Sequence, residues 1–131
     1  SDNLFTSIPE AIFGCAQLKI VKIARNRITS IPAGIVKLTQ LAEFYCGENA
    51  LKSIDPLFEM LQLRIIHCSG NKINHISTSV SNLEQLEELH LNENELETIP
   101  KELGNCKKLL CAYFSNNRVV GIPKEVLSIP T

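Results

Sequence analysis

Apolar residues return along this chain at fixed distances from an asparagine. Asn3, Asn26, Asn49, Asn71, Asn94 and Asn117 are separated by 23, 23, 22, 23 and 23 residues. Self-similarity at such a period predicts a solenoid, in which each unit buries its hydrophobic face only by stacking on its neighbours. From each of the last five asparagines, the positions eight, five and three before it and two, five, nine and twelve after it are all apolar. In the first full repeat they are Leu18, Val21, Ile23, Ile28, Ile31, Ile35 and Leu38; in the second, Leu41, Phe44, Cys46, Leu51, Ile54, Phe58 and Leu61. In the fourth they are Leu86, Leu89, Leu91, Leu96, Ile99, Leu103 and Cys106. With 44% apolar residues overall, unbroken agreement at every such position is beyond chance. Phe5, Ile8, Ile12 and Cys15 obey the second half of the rule. A partial repeat over residues 1–17 is therefore expected to precede five full repeats over 18–131, as a single domain with nothing left for a second.

The apolar pair five and three before each asparagine, as in Leu89-His90-Leu91, has the period of a strand with one buried face. Stacked units then give a parallel sheet. The asparagine that follows must turn the chain inward, where its carboxamide can satisfy backbone groups that neighbouring coils leave open. The later apolar positions form the return, as short helical turns or irregular backbone, and Pro9, Pro32, Pro100 and Pro123 suit its start, where no N–H is required. Asp55 and Ser77 stand in place of that proline in the second and third repeats, and the second repeat is one residue short between Leu61 and Leu63, so a local kink is expected on the convex side. The chain opens mid-repeat and stops at "SIPT" without a polar closing element. This predicts a piece of a longer horseshoe, or ends that are covered by a second copy through end-to-end self-association.

Strings such as "LKIVKIARNRITSIPAGIVKL" and "LEELHLNENELETIPKELGNC" resemble leucine-rich repeats, LxxLxLxxNxLxxLPxxLxxL, and the resemblance covers the whole chain. The 23-residue length and the proline resemble the repeats of intracellular scaffolds of the Scribble-like, Ras-suppressor-like and Roco groups. That resemblance implies an α/β repeat fold: a curved right-handed solenoid with a parallel concave β-sheet and short helical or irregular convex segments. It also implies protein recognition on the concave sheet, in a scaffold or adaptor of intracellular signalling. The alternative it leaves open is a targeting or autoregulatory segment of a multidomain signalling enzyme, such as a kinase, phosphatase, cyclase or GTPase regulator.

In such a sheet the residues between the inward-facing ones line the concave surface, so the repeat rule predicts columns. Four before each asparagine stand Lys22, Tyr45, His67, His90 and Tyr113, a ladder of amphipathic rings. Two before stand Ala24, Gly47, Ser69, Asn92 and Ser115, small enough to admit an incoming backbone or side chain. Glu43 and Glu88 lie in the column six before, and Arg25, Glu48 and Glu93 in the one just before. Tyrosine buries area at low entropic cost while keeping a polar tip. The expected partner surface is accordingly Lys22, Arg25, Glu43, Tyr45, Glu48, His67, Glu88, His90, Asn92, Glu93 and Tyr113. Its acidic flanks suit a protein or peptide partner with basic or hydrogen-bond-donating character. Asn26, Asn49, Asn71, Asn94 and Asn117 are expected to be structural.

Charge and cysteines narrow the function further. Thirteen Lys and Arg against 14 Asp and Glu create no field that would draw in nucleic acid, and no apolar run is long enough for membrane insertion. Five cysteines without a CxxC pair fit neither a zinc framework nor closed disulfides, which favours a reducing, cytoplasmic setting. Cys46 and Cys68 are expected side by side in the core, Cys15 and Cys106 in the convex core, and Cys111 at the concave edge with no histidine placed to activate it. His67 and His90 should meet across adjacent strands with Glu43 and Glu88 to one side. An open, flat ladder seldom converges ligands tetrahedrally, so no metal or other cofactor is expected, and the two rings instead disfavour each other's protonation. No enzyme motif is present, and catalysis is not expected.

Overall fold

The computed structural model describes residues 4–130, so Asn3 lies outside the described residues. Five three-residue strands, β1 (Ile20–Lys22), β2 (Glu43–Tyr45), β3 (Ile65–His67), β4 (Glu88–His90) and β5 (Cys111–Tyr113), form one parallel sheet in chain order. Each residue pairs with the one at the same place in the next repeat, so Lys22, Tyr45, His67, His90 and Tyr113 are consecutive cross-strand partners. The central residue of every strand is buried, from Val21 to Ala112, as the alternation predicts. The core runs continuously between the sheet and the return segments.

Those returns are 3-10 helices: Glu10–Gly14, Ala33–Lys37, Asp55–Glu59, Thr78–Asn82, Lys101–Asn105 and Lys124–Val126. Successive bonds from Ile35 N–H to Pro32, Leu38 to Ile35 and Leu41 to Leu38 place one residue in three on the same face, and Ile35, Leu38 and Leu41 are all buried. Proline caps four of these helices. Ser77 takes its place in the third full repeat and accepts from the Ser79 N–H at 3.2 Å, supplying by a hydroxyl what proline makes unnecessary. Close stacking sets a second demand at Gly104, where an added Cβ would lie 2.5 Å from the Glu125 carbonyl oxygen of the next return.

The short repeat is absorbed elsewhere than expected. Its helix caps at Ile54, with φ −120° and ψ 14° where the prolines are extended, and Asp55 is already helical. The missing residue therefore lies ahead of the helix, and the inward positions run Ile54, Leu57, Met60 and Leu63, linked by the same three-residue bonds. Leu61, placed inward by the repeat rule, is 57% exposed, and Met60 is buried in its stead. Cys15 is also exposed rather than convex core, because no earlier coil covers it in the described chain, whereas Cys106 is buried.

The asparagines join the coils. The Asn71 Nδ2 donates to the carbonyls of Cys68 in its own coil (2.9 Å) and Cys46 in the preceding one (3.0 Å), while its Oδ1 accepts from the Leu51 N–H at 2.9 Å. Asn94 repeats the pattern with Leu91, Cys68 and Ile73, Asn49 with Cys46, Ile23 and Ile28, and Asn117 with Phe114, Leu91 and Leu96. The Oδ1 of Asn26 accepts from Phe5 N–H in the partial repeat. To aim the carboxamide inward, the residue before each asparagine turns left-handed: Arg25, Glu48, Gly70, Glu93 and Asn116 have φ between 54° and 72°. Only Gly70 holds this conformation without a Cβ penalty.

Burial decides what each amide is worth. Asn94 is 8% exposed, while Asn117 makes the same three bonds at the partly open last coil. Replacing Asn94 by Ala leaves the Ile73 N–H without its acceptor away from water and takes from the carbonyls of Cys68 and Leu91 one of the two carboxamide donors each has, at a cost of about 1–3 kcal/mol. Asn117→Ala is expected to cost less. Urea denaturation of the two variants checks the order, and equal losses would contradict it.

Candidate functional site

The strand register brings the predicted ring column together. Lys22 Nζ sits 5.4 Å from the Tyr45 ring centroid, Tyr45 lies 6.0 Å from His67, His67 stacks on His90 at 4.6 Å and 19°, and His90 lies 4.9 Å from Tyr113. This continuous row follows from the pairing, since in-register parallel strands place identical repeat positions side by side. The four rings are half-buried.

Two of the glutamates do more than flank the rings. Glu43, two residues before Tyr45 on the same face of β2, accepts the Tyr45 hydroxyl at 2.7 Å. Glu88 stands in the same relation to His90, with Oε1 at 3.0 Å from Nε2. They hold ring tips, a role that charge counting along the sequence does not reveal. The bond from Glu43, then burial, pushes the Tyr45 pKa up to about 12. Arg25 and Glu48 face each other at 3.6 Å on the left-handed rim, both largely exposed, a geometry that contributes little in water. Glu93 is exposed on the same rim.

Beside the rings, the column of small residues forms a floor. Gly47 and Ser69 are its lowest points, and with Ala24, Tyr45, His67 and Glu93 they line a hollow of about 260 Å³. Further along, the floor is closed by its own hydrogen bonds. Asn92 accepts the N–H and the hydroxyl of Ser115 on its Oδ1, each at 2.9 Å, and donates its N–H to Ser69 Oγ at 3.1 Å. Asn92, expected to meet a partner, is thus already engaged within the sheet.

The cysteines divide by depth. Burial pushes Cys46 up to about 12 and Cys106 up to about 11, and burial, then the adjacent Cys46, raise Cys68 well above the ordinary thiol value. These three are protonated, inert hydrophobes at neutral pH. Cys111 is different, being only half-buried. The sequence places no histidine near it, yet its sulfur, a donor nitrogen of His90 and a Glu88 oxygen all lie within 4.8 Å of one another. The reason is diagonal: Glu88 pairs directly with Cys111 across β4 and β5, and Glu88 in turn draws the His90 ring toward itself. The adjacent Cys111 side chain raises the Tyr113 pKa. A further pair outside the predicted set, Arg64 and Glu87, meets at 2.8 Å on the sheet edge.

Burial first, and then the charge of His90, lower the His67 pKa from its ordinary 6.5. Between the depressed folded value and 6.5, the unfolded chain binds more protons than the fold. Stability contributed by neutral His67 is therefore complete above the unfolded pKa and declines as the pH falls toward the folded one. Denaturant midpoints measured from about pH 7 down to about pH 5 are expected to fall, and His67→Gln is expected to flatten that fall. An unchanged slope in the variant would show that His67 does not titrate with folding.

The Leucine Rich Repeat family model matches residues 85–106, one full repeat. No curated protein sequence matches the chain significantly. Among solved structures, an internalin of Listeria monocytogenes is 26% identical with a TM-score of 0.83, covering 96% of this chain and 36% of its own. A leucine-rich-repeat protein of Leptospira interrogans is 26% identical at TM-score 0.86, over 96% of this chain and 32% of its own. The ectodomain of the Arabidopsis thaliana receptor kinase GASSHO1/SCHENGEN3, solved in complex with Casparian strip integrity factor 2, is 28% identical at TM-score 0.83, over 95% of this chain and 15% of its own. The chain thus spans about a third of the first two proteins and less of the receptor. No helix among the described residues is long and apolar enough to cross a membrane. The parallel sheet, the 3-10 returns, the asparagine bonds between coils and these likenesses agree: the chain folds as a leucine-rich-repeat solenoid.

Proposed function

We propose that this chain is a non-catalytic protein-recognition module that binds a protein or peptide on its concave sheet. The observation that carries the reading is the unbroken row from Lys22 to Tyr113 beside the Gly47–Ser69 hollow. Rings held at their tips by Glu43 and Glu88 lose little freedom on binding, so their buried area is retained as affinity. The hollow offers a seat for one side chain or a stretch of backbone. Exposed Glu48 and Glu93 on its rim favour a partner segment with a basic or donor group at that point. The structural neighbour solved with Casparian strip integrity factor 2 supports recognition as the use of this architecture.

A scaffold or adaptor role in cytoplasmic signalling is the setting we infer, supported by the likeness of the 23-residue repeats to intracellular scaffolds and by five cysteines that stand as thiols. Exposed Leu4 and Phe5 at one end and Val120 and Ile122 at the other support a stacking contact there, with a second copy or with further repeats.

A peptide selected against the chain by display provides the test. Tyr45→Ala and Tyr113→Ala are each expected to weaken its binding by about 2 kcal/mol, roughly 30-fold. Exchanging the exposed return residues Glu97 and Lys107 is expected to leave binding unchanged. Isothermal titration with far-ultraviolet circular dichroism as a fold control reads both. Binding that survives the ring variants and fails with the return variants would move the site to the convex face.

A further inference from the structure

We propose that Glu88, His90 and Cys111 form a binding site for a divalent zinc-class cation on the concave face. The three residues come from two adjacent paired strands, so their spacing is set by the sheet rather than by a loop. One carboxylate oxygen, one imidazole nitrogen and one thiol sulfur lie within 4.8 Å of one another, and all three residues are half-buried. Donors bound at zinc's usual lengths in a tetrahedron stand about 3.3 Å apart for an N and O pair and about 3.6 Å when one is sulfur. The Glu88 Oε1 to His90 Nε2 distance of 3.0 Å already approaches the first. Bringing in the sulfur takes a side-chain adjustment of about an ångström, with the backbone unmoved.

The donor set selects the metal. Sulfur with imidazole favours zinc and other borderline ions over magnesium or calcium, which take oxygen ligands. On binding, the Cys111 thiol gives its proton to solvent and the sulfur donates an electron pair to the cation. Thiolate and carboxylate together then neutralise the dication, and neutral His90 completes three protein ligands. Solvent fills a fourth position that faces the groove.

Neighbouring groups support such a site. The His67 ring stacked at 4.6 Å fixes the plane of His90. The nearby carboxylate of Glu43 adds negative charge on the same face, one strand beyond His67.

Residue-resolved alkylation tests the site without any partner protein, so its failure leaves the recognition reading untouched and the reverse also holds. Cys111 and the exposed Cys15 are the two thiols open to iodoacetamide in the fold, and Cys15 serves as the internal reference. Zinc is expected to slow modification of Cys111 by roughly tenfold or more and to leave Cys15 unaffected, whereas magnesium protects neither. His90→Ala and Glu88→Gln are each expected to weaken that protection. Cobalt should give a sulfur-to-metal charge-transfer band in the native chain that Cys111→Ser removes. Equal modification of Cys111 with and without zinc would overturn the proposal. So would equal protection of both thiols, or protection undiminished in His90→Ala, since either reports a thiol adduct and no assembled site.

Discussion

The carboxamide of each asparagine from Asn49 to Asn117 in the series binds two coils at once. It donates to one carbonyl in its own coil and one in the coil before, and accepts an N–H from that same earlier coil, as Asn71 does with Cys68, Cys46 and Leu51. These backbone groups lie between the sheet and the returns, where neither can reach them and water is excluded. A shorter or branched side chain would not span both coils, and a charged one would be buried without a counter-ion. The demand extends to the residue before, which must turn left-handed. Arg25, Glu48 and Glu93 accept that conformation despite their Cβ atoms.

Everything on the open face follows from the register so imposed. Because neighbouring coils are tied at the same repeat position, strands of only three residues pair without slippage, and like positions align into columns. A column of rings then becomes a stack, and a column of small residues becomes a floor. The fold therefore converts a choice made once per repeat into a surface about five residues long. Departures from repetition make this surface individual: Lys22 in place of a ring, Gly70 in place of a charged rim residue, Cys111 in place of a glutamate or isoleucine.

Much of this was legible in the sequence because the repeat carries its own ruler. Strand faces, asparagine positions and concave columns need only counting. After Asn26, Asn71 and Asn94, the apolar positions nine and twelve on and the leucine three later also spell the three-residue period of a 3-10 helix. That same period, followed backward from Leu63 through Met60 and Leu57, locates the missing residue of the second repeat before its helix and explains why Leu61 is exposed. Counting forward from Asn49 misplaces it, because a fixed ruler has no means of seeing where the backbone absorbs a deletion. Side-chain pairing within a strand was less visible. Glu43 on Tyr45 and Glu88 on His90 depend on which way a carboxylate leans, and that lean is what brings His90 beside Cys111. Cys15 was misplaced for a simpler reason: a convex position is buried only when another coil lies over it.

Amide hydrogen exchange by NMR tests the central constraint most directly. The N–H groups of Ile28, Leu51 and Ile73 donate to asparagine side chains of the next coil and to no strand partner. If those side chains join the coils, Leu51 and Ile73 exchange as slowly as the strand amides of β3, and Ile28 nearly so. Exchange of Leu51 and Ile73 at the rate of unprotected peptide, with the strands still protected, would show that the coils are held together without the asparagine bonds.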